Sequence, residues 1–109
     1  MHLKWTSKAL EDLVRLHDFL AVVNPSAAVR TVQALTATPV RLLEQPRLGE
    51  RLDEFEPQEV RRIFAGPYEM RYEIRGDVIY VMRLWHSRED RSVTLSHELA
   101  RAAASANLA

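Results

Sequence analysis

The chain has 109 residues, room for one domain, with 15 basic residues balanced by 15 acidic ones and a hydrophobic fraction of 47%. That neutrality sets it apart from dedicated nucleic-acid binders, which are usually basic. No cysteine is present, which excludes a disulfide framework and a thiolate zinc site and fits a reducing cytoplasm.

The first stretch, "MHLKWTSKAL", lacks the apolar core of a signal peptide. No apolar run approaches the ~20 residues of a membrane span, so no membrane association is expected. "HLKW" at 2–5 reads as a short strand with Leu3 and Trp5 on one face. Thr6 or Ser7 then caps a helix over about 7–22, marked by Leu10, Leu13, Val14, Leu20 and Val23. "NP" at 24–25 closes it and opens another: Asn24 is a good cap, and Pro25 suits the first helical position. Val29, Val32, Leu35, Leu42 and Leu43 extend the second helix to about 45, with a kink expected at Pro39. "QPRLGERLDEFEPQ" at 45–58, with two prolines, a glycine and four acids, reads as a loop.

The period then changes to two. "VRRIFA" (60–65), "YEMRYEIR" (68–75) and "VIYVMRLW" (78–85) are strands separated by "GP" and "GD" turns, with Gly76 supplying positive φ. The last of them is nearly all apolar, the pattern of a central strand covered on both faces. The alanine-rich stretch 92–109 is expected to be a short C-terminal helix or tail. The order β-α-α-β-β-β defines an α+β domain over 1–91. A helical hairpin packs on one face of a small, mainly antiparallel sheet, leaving the other face at least partly exposed.

Residues 61–91 contain seven bases, all arginine, against five acids. Arginine suits flat, bidentate contact with carboxylate or phosphate. Arg83 lies in an apolar strand, so it is either paired with a carboxylate such as Glu69 or Glu73 or aimed at an anion on the open side of the sheet. Arg61 and Arg62 are adjacent and point to opposite faces. Tyr68 and Tyr72 share a face, as core aromatics or as platforms for bases. His86 ends the apolar strand, either capping it through a backbone group or Asp90, or titrating near neutral pH as an acid or base. Arg88 and Arg91 follow on a loop, as solvated charge or as ligand contacts. His2, His17, His86 and His97 have no metal-ligand spacing, and three glycines make no phosphate loop. Neither metal nor cofactor is expected.

Four motifs in order resemble the ParE/RelE superfamily of bacterial toxins. They are "LKWT" leading into a helix with Ala9 and "EDL", then "PRLGERL" at 46–52, "VRRIFAGPYEMRYEI" at 60–74 and "IYVMRLWHSRED" at 79–90. The resemblance implies a toxin held inactive by a cognate antitoxin whose flexible segment wraps it. It implies one of two activities. RelE-like members are nucleases that cut mRNA in the ribosome; ParE-like members poison DNA gyrase. For a nuclease the catalytic candidates are Arg83, His86 and Arg88; for a binding toxin the target-contact candidates are Arg62, Arg71, His86, Arg88 and Arg91. RelE-like nucleases place an arginine just after the aromatic that opens the middle strand. Here that position is Glu69, which repels a scissile phosphate. Glu69 and the neutral charge favour the ParE-like branch. The antitoxin is expected on the outer faces of helices 7–22 and 25–45 and on a sheet edge.

Overall fold

The computed structural model describes residues 1–89. Arg91, Asp90 and the expected helix or tail at 92–109 lie outside them. Strand β1 is His2–Trp5, helix α1 Ser7–Val23 and helix α2 Pro25–Ala37. A 3-10 helix, Thr38–Leu43, follows α2. Strand β2 is Glu50–Arg51, β3 Glu59–Ala65, β4 Tyr68–Arg75 and β5 Val78–His86, and a second 3-10 helix, Asp53–Phe55, lies between β2 and β3. The sheet order is β1-β5-β4-β3-β2. Only the β1–β5 pairing is parallel; the other three are antiparallel.

Local chemistry sets the helix boundaries. Thr6 Oγ1 accepts the Ala9 N–H at 3.1 Å and so caps α1. Asn24 serves both helices: its N–H donates to Leu20 O and ends α1, and its side chain accepts from Ala27 N and opens α2, with Pro25 in the first turn. The single kinked helix expected to about residue 45 is instead an α-helix that stops at Ala37 and tightens into a 3-10 helix. Pro39 has no N–H for the next bond in the ladder, so the α-helical pattern cannot continue through it.

The hairpin packs on one face of the sheet. Ala9, Leu16, Leu35 and Leu42 meet Ile63, Tyr68, Met70, Tyr72, Ile74, Ile79, Val81 and Leu84. Several residues of the expected apolar stripe point away from this core: Leu10, Val14, Val23 and Val29 are exposed. The helix-free face is less open than expected. The segment read as a loop contains β2 and the second 3-10 helix, and Leu52 and Phe55 cluster with Val60 and Met82 there. β4, not β5, is the middle strand, although β5 is paired on both sides. β4 is buried along nearly its whole length because its charged residues pair with one another: Arg71 with Glu69, and Arg75 with Glu73.

The "PRLGE" turn is clamped onto the sheet edge. Tyr72 Oη donates to Pro46 O at 2.8 Å and accepts from Gly49 N at 2.9 Å. Burial raises the Tyr72 pKa, so the phenol stays protonated and keeps both bonds. Arg61 donates to Gly49 O and to Glu59, which Arg47 also holds. A Cβ at Gly49 would sit 2.6 Å from Arg62 O, 2.7 Å from Ile63 Cγ2 and 2.8 Å from Tyr72 Oη. Gly49→Ala is therefore expected to cost about 1–3 kcal/mol in denaturant unfolding. Burial pushes the Glu59 carboxyl up, but hydrogen bonds from Arg61 and Arg47 outweigh it and leave the pKa below its usual value. Its stabilisation is present above the unfolded-state pKa and is lost as pH falls through the lower folded value. Glu59→Gln should flatten the loss of stability that acid titration shows below about pH 4.5.

Candidate functional site

β1 stops opposite Val81, while β5 runs on to His86. Past that point no strand among the described residues lies on the outer side of β5, so its backbone groups need other partners. Thr6, side chains of α1 and Glu89 of the following turn supply them. Thr6 N donates to Val81 O, and Thr6 Oγ1 donates to Met82 O at 3.1 Å. Asp12 accepts from Leu84 N at 3.0 Å, and Arg15 donates to Leu84 O at 3.1 Å. Glu89 accepts from His86 N at 2.9 Å. The register slips here: Tyr72 pairs with Val81 but Arg71 pairs with Arg83, so β5 carries one extra residue. The bulge places Leu84, not Arg83, in the main core with Val81.

Asp12 is the hub. It is 2% exposed, and both of its oxygens are used. Arg83 donates through Nε at 2.7 Å and Nη2 at 3.1 Å, a bidentate pair. Arg15 Nη2 reaches Asp12 Oδ1 at 3.3 Å, and Arg15 Nη1 donates to Glu89. Burial lowers the Arg15 pKa, but Glu89 and Asp12 outweigh it and hold the pKa above its usual value. The expectation that Arg83 pairs with Glu69 or Glu73 is corrected: its carboxylate comes from α1. Asp12, Arg15 and Glu89 were missed as site residues. Their signal was the "EDLVR" spacing, which puts Asp12 and Arg15 on neighbouring positions of one helix face.

The rim that follows β5 is a tight turn. Glu89 N donates to His86 O at 3.0 Å, and Arg88 N donates to His86 Nδ1 at 3.1 Å. His86 thus binds backbone, as one of the two sequence readings had it. An imidazole that accepts at Nδ1 carries its proton on Nε2 when neutral. The His86 ring meets Tyr68 edge-on, with centroids 5.3 Å apart. Beside the rim lies a groove of about 570 Å³, walled by Leu16, Phe19, Leu20 and Tyr68 and edged by Arg15, His86, Arg88 and Glu89. Phe19 at its lip is 75% exposed, and Val22 and Val23 extend the apolar surface to the hairpin tip.

The remaining candidates lie elsewhere. Arg71 is buried on the helix-free face, donates to Glu69 Oε2 at 2.9 Å and stacks over Trp85 at 4.9 Å. Arg83 lies over the same Trp85 ring at 5.0 Å. The two guanidinium groups are cross-strand partners, and each has its own carboxylate, which offsets their repulsion. Arg62 pairs with Glu50 at the sheet edge and reaches Glu69 at 3.8 Å. The structure therefore brings His86 and Arg88 together and keeps Arg62, Arg71 and Arg83 apart from them. Among the described residues no group of His, Asp or Glu is arranged to hold a metal ion.

Two helices on one face of this mixed sheet, with a charged rim at the end of its apolar strand, define a toxin of the ParE/RelE superfamily. The chain belongs to the family described as ParE toxin of the type II toxin–antitoxin system parDE, whose model matches residues 3–91. It is 30% identical to Toxin RelE2 of Caulobacter vibrioides over 83 residues, 76% of this chain and 91% of that one. Its structure is similar to the chromosomal ParDE system of P. aeruginosa, with a TM-score of 0.68 and 27% identity over 79% of this chain and 95% of that chain. It shares its fold with the isolated E. coli RelE toxin, with a TM-score of 0.51 and 17% identity over 92% and 96% of the two chains.

Removing the Asp12 carboxylate would leave Arg83 buried without its partner and Leu84 N without an acceptor. Asp12→Ala is expected to lower unfolding free energy by about 3–5 kcal/mol in a denaturant titration. A loss under about 1 kcal/mol, the scale of an exposed pair, would refute the hub.

Proposed function

We propose that this toxin is ParE-like, acting by binding DNA gyrase through its charged rim and neutralised by a cognate antitoxin. The observation that carries this reading is how the sheet's arginines are used. Cleaving RNA through its 2′-oxygen requires a base for the proton and free positive donors around the pentavalent phosphate. Arg71 is committed to Glu69 and Arg83 to Asp12. Glu69 adds a carboxylate where a nuclease needs positive charge. His86 is no better placed as a base: with Nδ1 accepting from Arg88 N, its neutral form presents a protonated Nε2. The exposed rim is suited to recognition, with Arg88 open to a carboxylate or phosphate of the target.

The alternative is a ribosome-dependent mRNA endonuclease, with half-buried His86 and exposed Arg88 as its groups. It is favoured by the similarity to a protein named Toxin RelE2. Either target places the protein in the cytoplasm.

The antitoxin is assigned to the groove and hairpin tip, where Phe19, Val22 and Val23 expose more apolar surface than a solitary soluble domain needs. A second contact is a sheet edge. Leu52 N donates to Val60 O, so alternate residues of β3 turn their backbone groups toward β2. β2 pairs only with Arg61 and Arg62, which among the described residues leaves the edge at Phe64 open for strand addition.

Antitoxin-free protein added to a cell-free translation reaction should leave mRNA ends unchanged in primer extension. New cuts at ribosome-occupied codons, lost in His86→Ala or Arg88→Ala, would establish the nuclease instead. Phe19→Glu should weaken antitoxin binding by about tenfold or more, measured by titration calorimetry. Unchanged affinity would move the antitoxin elsewhere.

A further inference from the structure

We infer that Arg15 and Glu89 are positioning residues that hold the His86–Glu89 turn in the shape the target recognises. The inference rests on the reading above that this rim is the target-contact surface. Three observations carry it. First, the rim is an extension of a strand that has lost its neighbour. His86 is the last residue of β5, and beyond Val81 no strand among the described residues lies on that side. Its N–H donates to Glu89, which folds back from the turn to receive it.

Second, Glu89 is fixed from below. Its other carboxylate oxygen accepts from Arg15 Nη1, while Arg15 Nη2 spans Leu84 O and Asp12 Oδ1. One planar guanidinium therefore ties the turn, the strand and the helix together, which a point-charge ammonium could not do with the same geometry. Third, the turn sets the imidazole. Glu89 N closes on His86 O, and Arg88 N closes on His86 Nδ1, which fixes the tautomer of the neutral ring. Releasing Glu89 frees the backbone on which both bonds depend. Arg88 rides on the same turn, so its direction changes too.

Arg15 and Glu89 are only partly buried, with side chains 42% and 29% exposed. Their variants should fold, unlike those of Asp12. Arg15 also lines the groove assigned to the antitoxin. Glu89 lines it too, so both side chains touch groove, strand and rim turn, though their proposed task is to hold the turn.

The test uses Glu89→Ala, Glu89→Gln, Arg15→Lys and Arg88→Ala in the full chain. Each is read by growth arrest on expression without antitoxin and by amide hydrogen exchange. Growth arrest reports target action whichever target is correct. Glu89→Ala and Arg15→Lys are expected to speed exchange at the His86 amide about tenfold or more, with Val81 unchanged. Both should raise the expression needed for arrest, which is read without antitoxin, by at least about tenfold. Glu89→Gln keeps an acceptor for His86 N and should restore most of the toxicity, which a purely structural loss would not show. Faster His86 exchange with undiminished toxicity in Glu89→Ala, alongside toxicity lost in Arg88→Ala, would overturn the positioning role and leave the rim reading intact. Full toxicity in Arg88→Ala as well would remove the rim reading, and the positioning role with it. Unchanged His86 exchange in Glu89→Ala would refute the linkage itself.

Discussion

The fold turns on a mismatch of strand lengths. β1 ends opposite Val81 and β5 continues to His86, so the last turn of backbone on β5 faces a helix where a strand would otherwise lie. Backbone N–H and C=O groups cannot be left bare in a buried sheet. Thr6, Asp12 and Arg15 on the α1 segment meet them one after another, and Glu89 meets the last. The same side chains neutralise Arg83 and aim the rim. Replacing the missing strand with polar side chains thus docks α1 on the sheet and shapes the surface beyond it. A buried ion pair such as Asp12–Arg83 adds little net stability over an apolar pair of the same volume. Here it has a second use, because its carboxylate also fixes the register of α1 on β5.

The same accounting separates the functional readings. A small domain with many arginines can keep them for a ligand or use them on itself. Arg61, Arg62, Arg71, Arg75 and Arg83 all pair with carboxylates within the fold. Arg88 stands at the end of the sheet beside an apolar groove, where binding of a protein surface is easier to build than a phosphate-charged reaction centre. Glu69 draws in both Arg71 and Arg62, so the strand where a nuclease would place a free arginine instead neutralises its own charge.

Much of this was legible in the sequence where the cause is local. Thr6, Asn24 and Pro25 mark helix ends through bonds made within a few residues, and the shift from period 3.6 to period 2 marks the hairpins. What was missed depends on partners far along the chain. Asp12 and Arg83 are 71 residues apart, and the bulge that takes Arg83 off the face it would share with Val81 leaves no local signature. Reading β4 and β5 as regular strands put Glu69 and Glu73 within reach of Arg83 and hid the helix carboxylate. β2 is two residues long, too short for an alternation to register, and is held by the Tyr72 and Arg61 clamps rather than by its own propensity. Leu10, Val14 and Val23 fit a helical stripe by spacing, but the sheet is too narrow to cover every apolar position on α1. The apolar excess is itself informative, since it marks the surface left for a partner.

The most direct test of the account is a gyrase reaction with the purified, antitoxin-free protein, relaxed plasmid and ATP. The account predicts loss of supercoiling and accumulation of broken plasmid that depends on gyrase, disappears when antitoxin is added and is abolished by Arg88→Ala. Normal supercoiling and intact plasmid, from protein that arrests growth in cells, would contradict a gyrase-directed toxin.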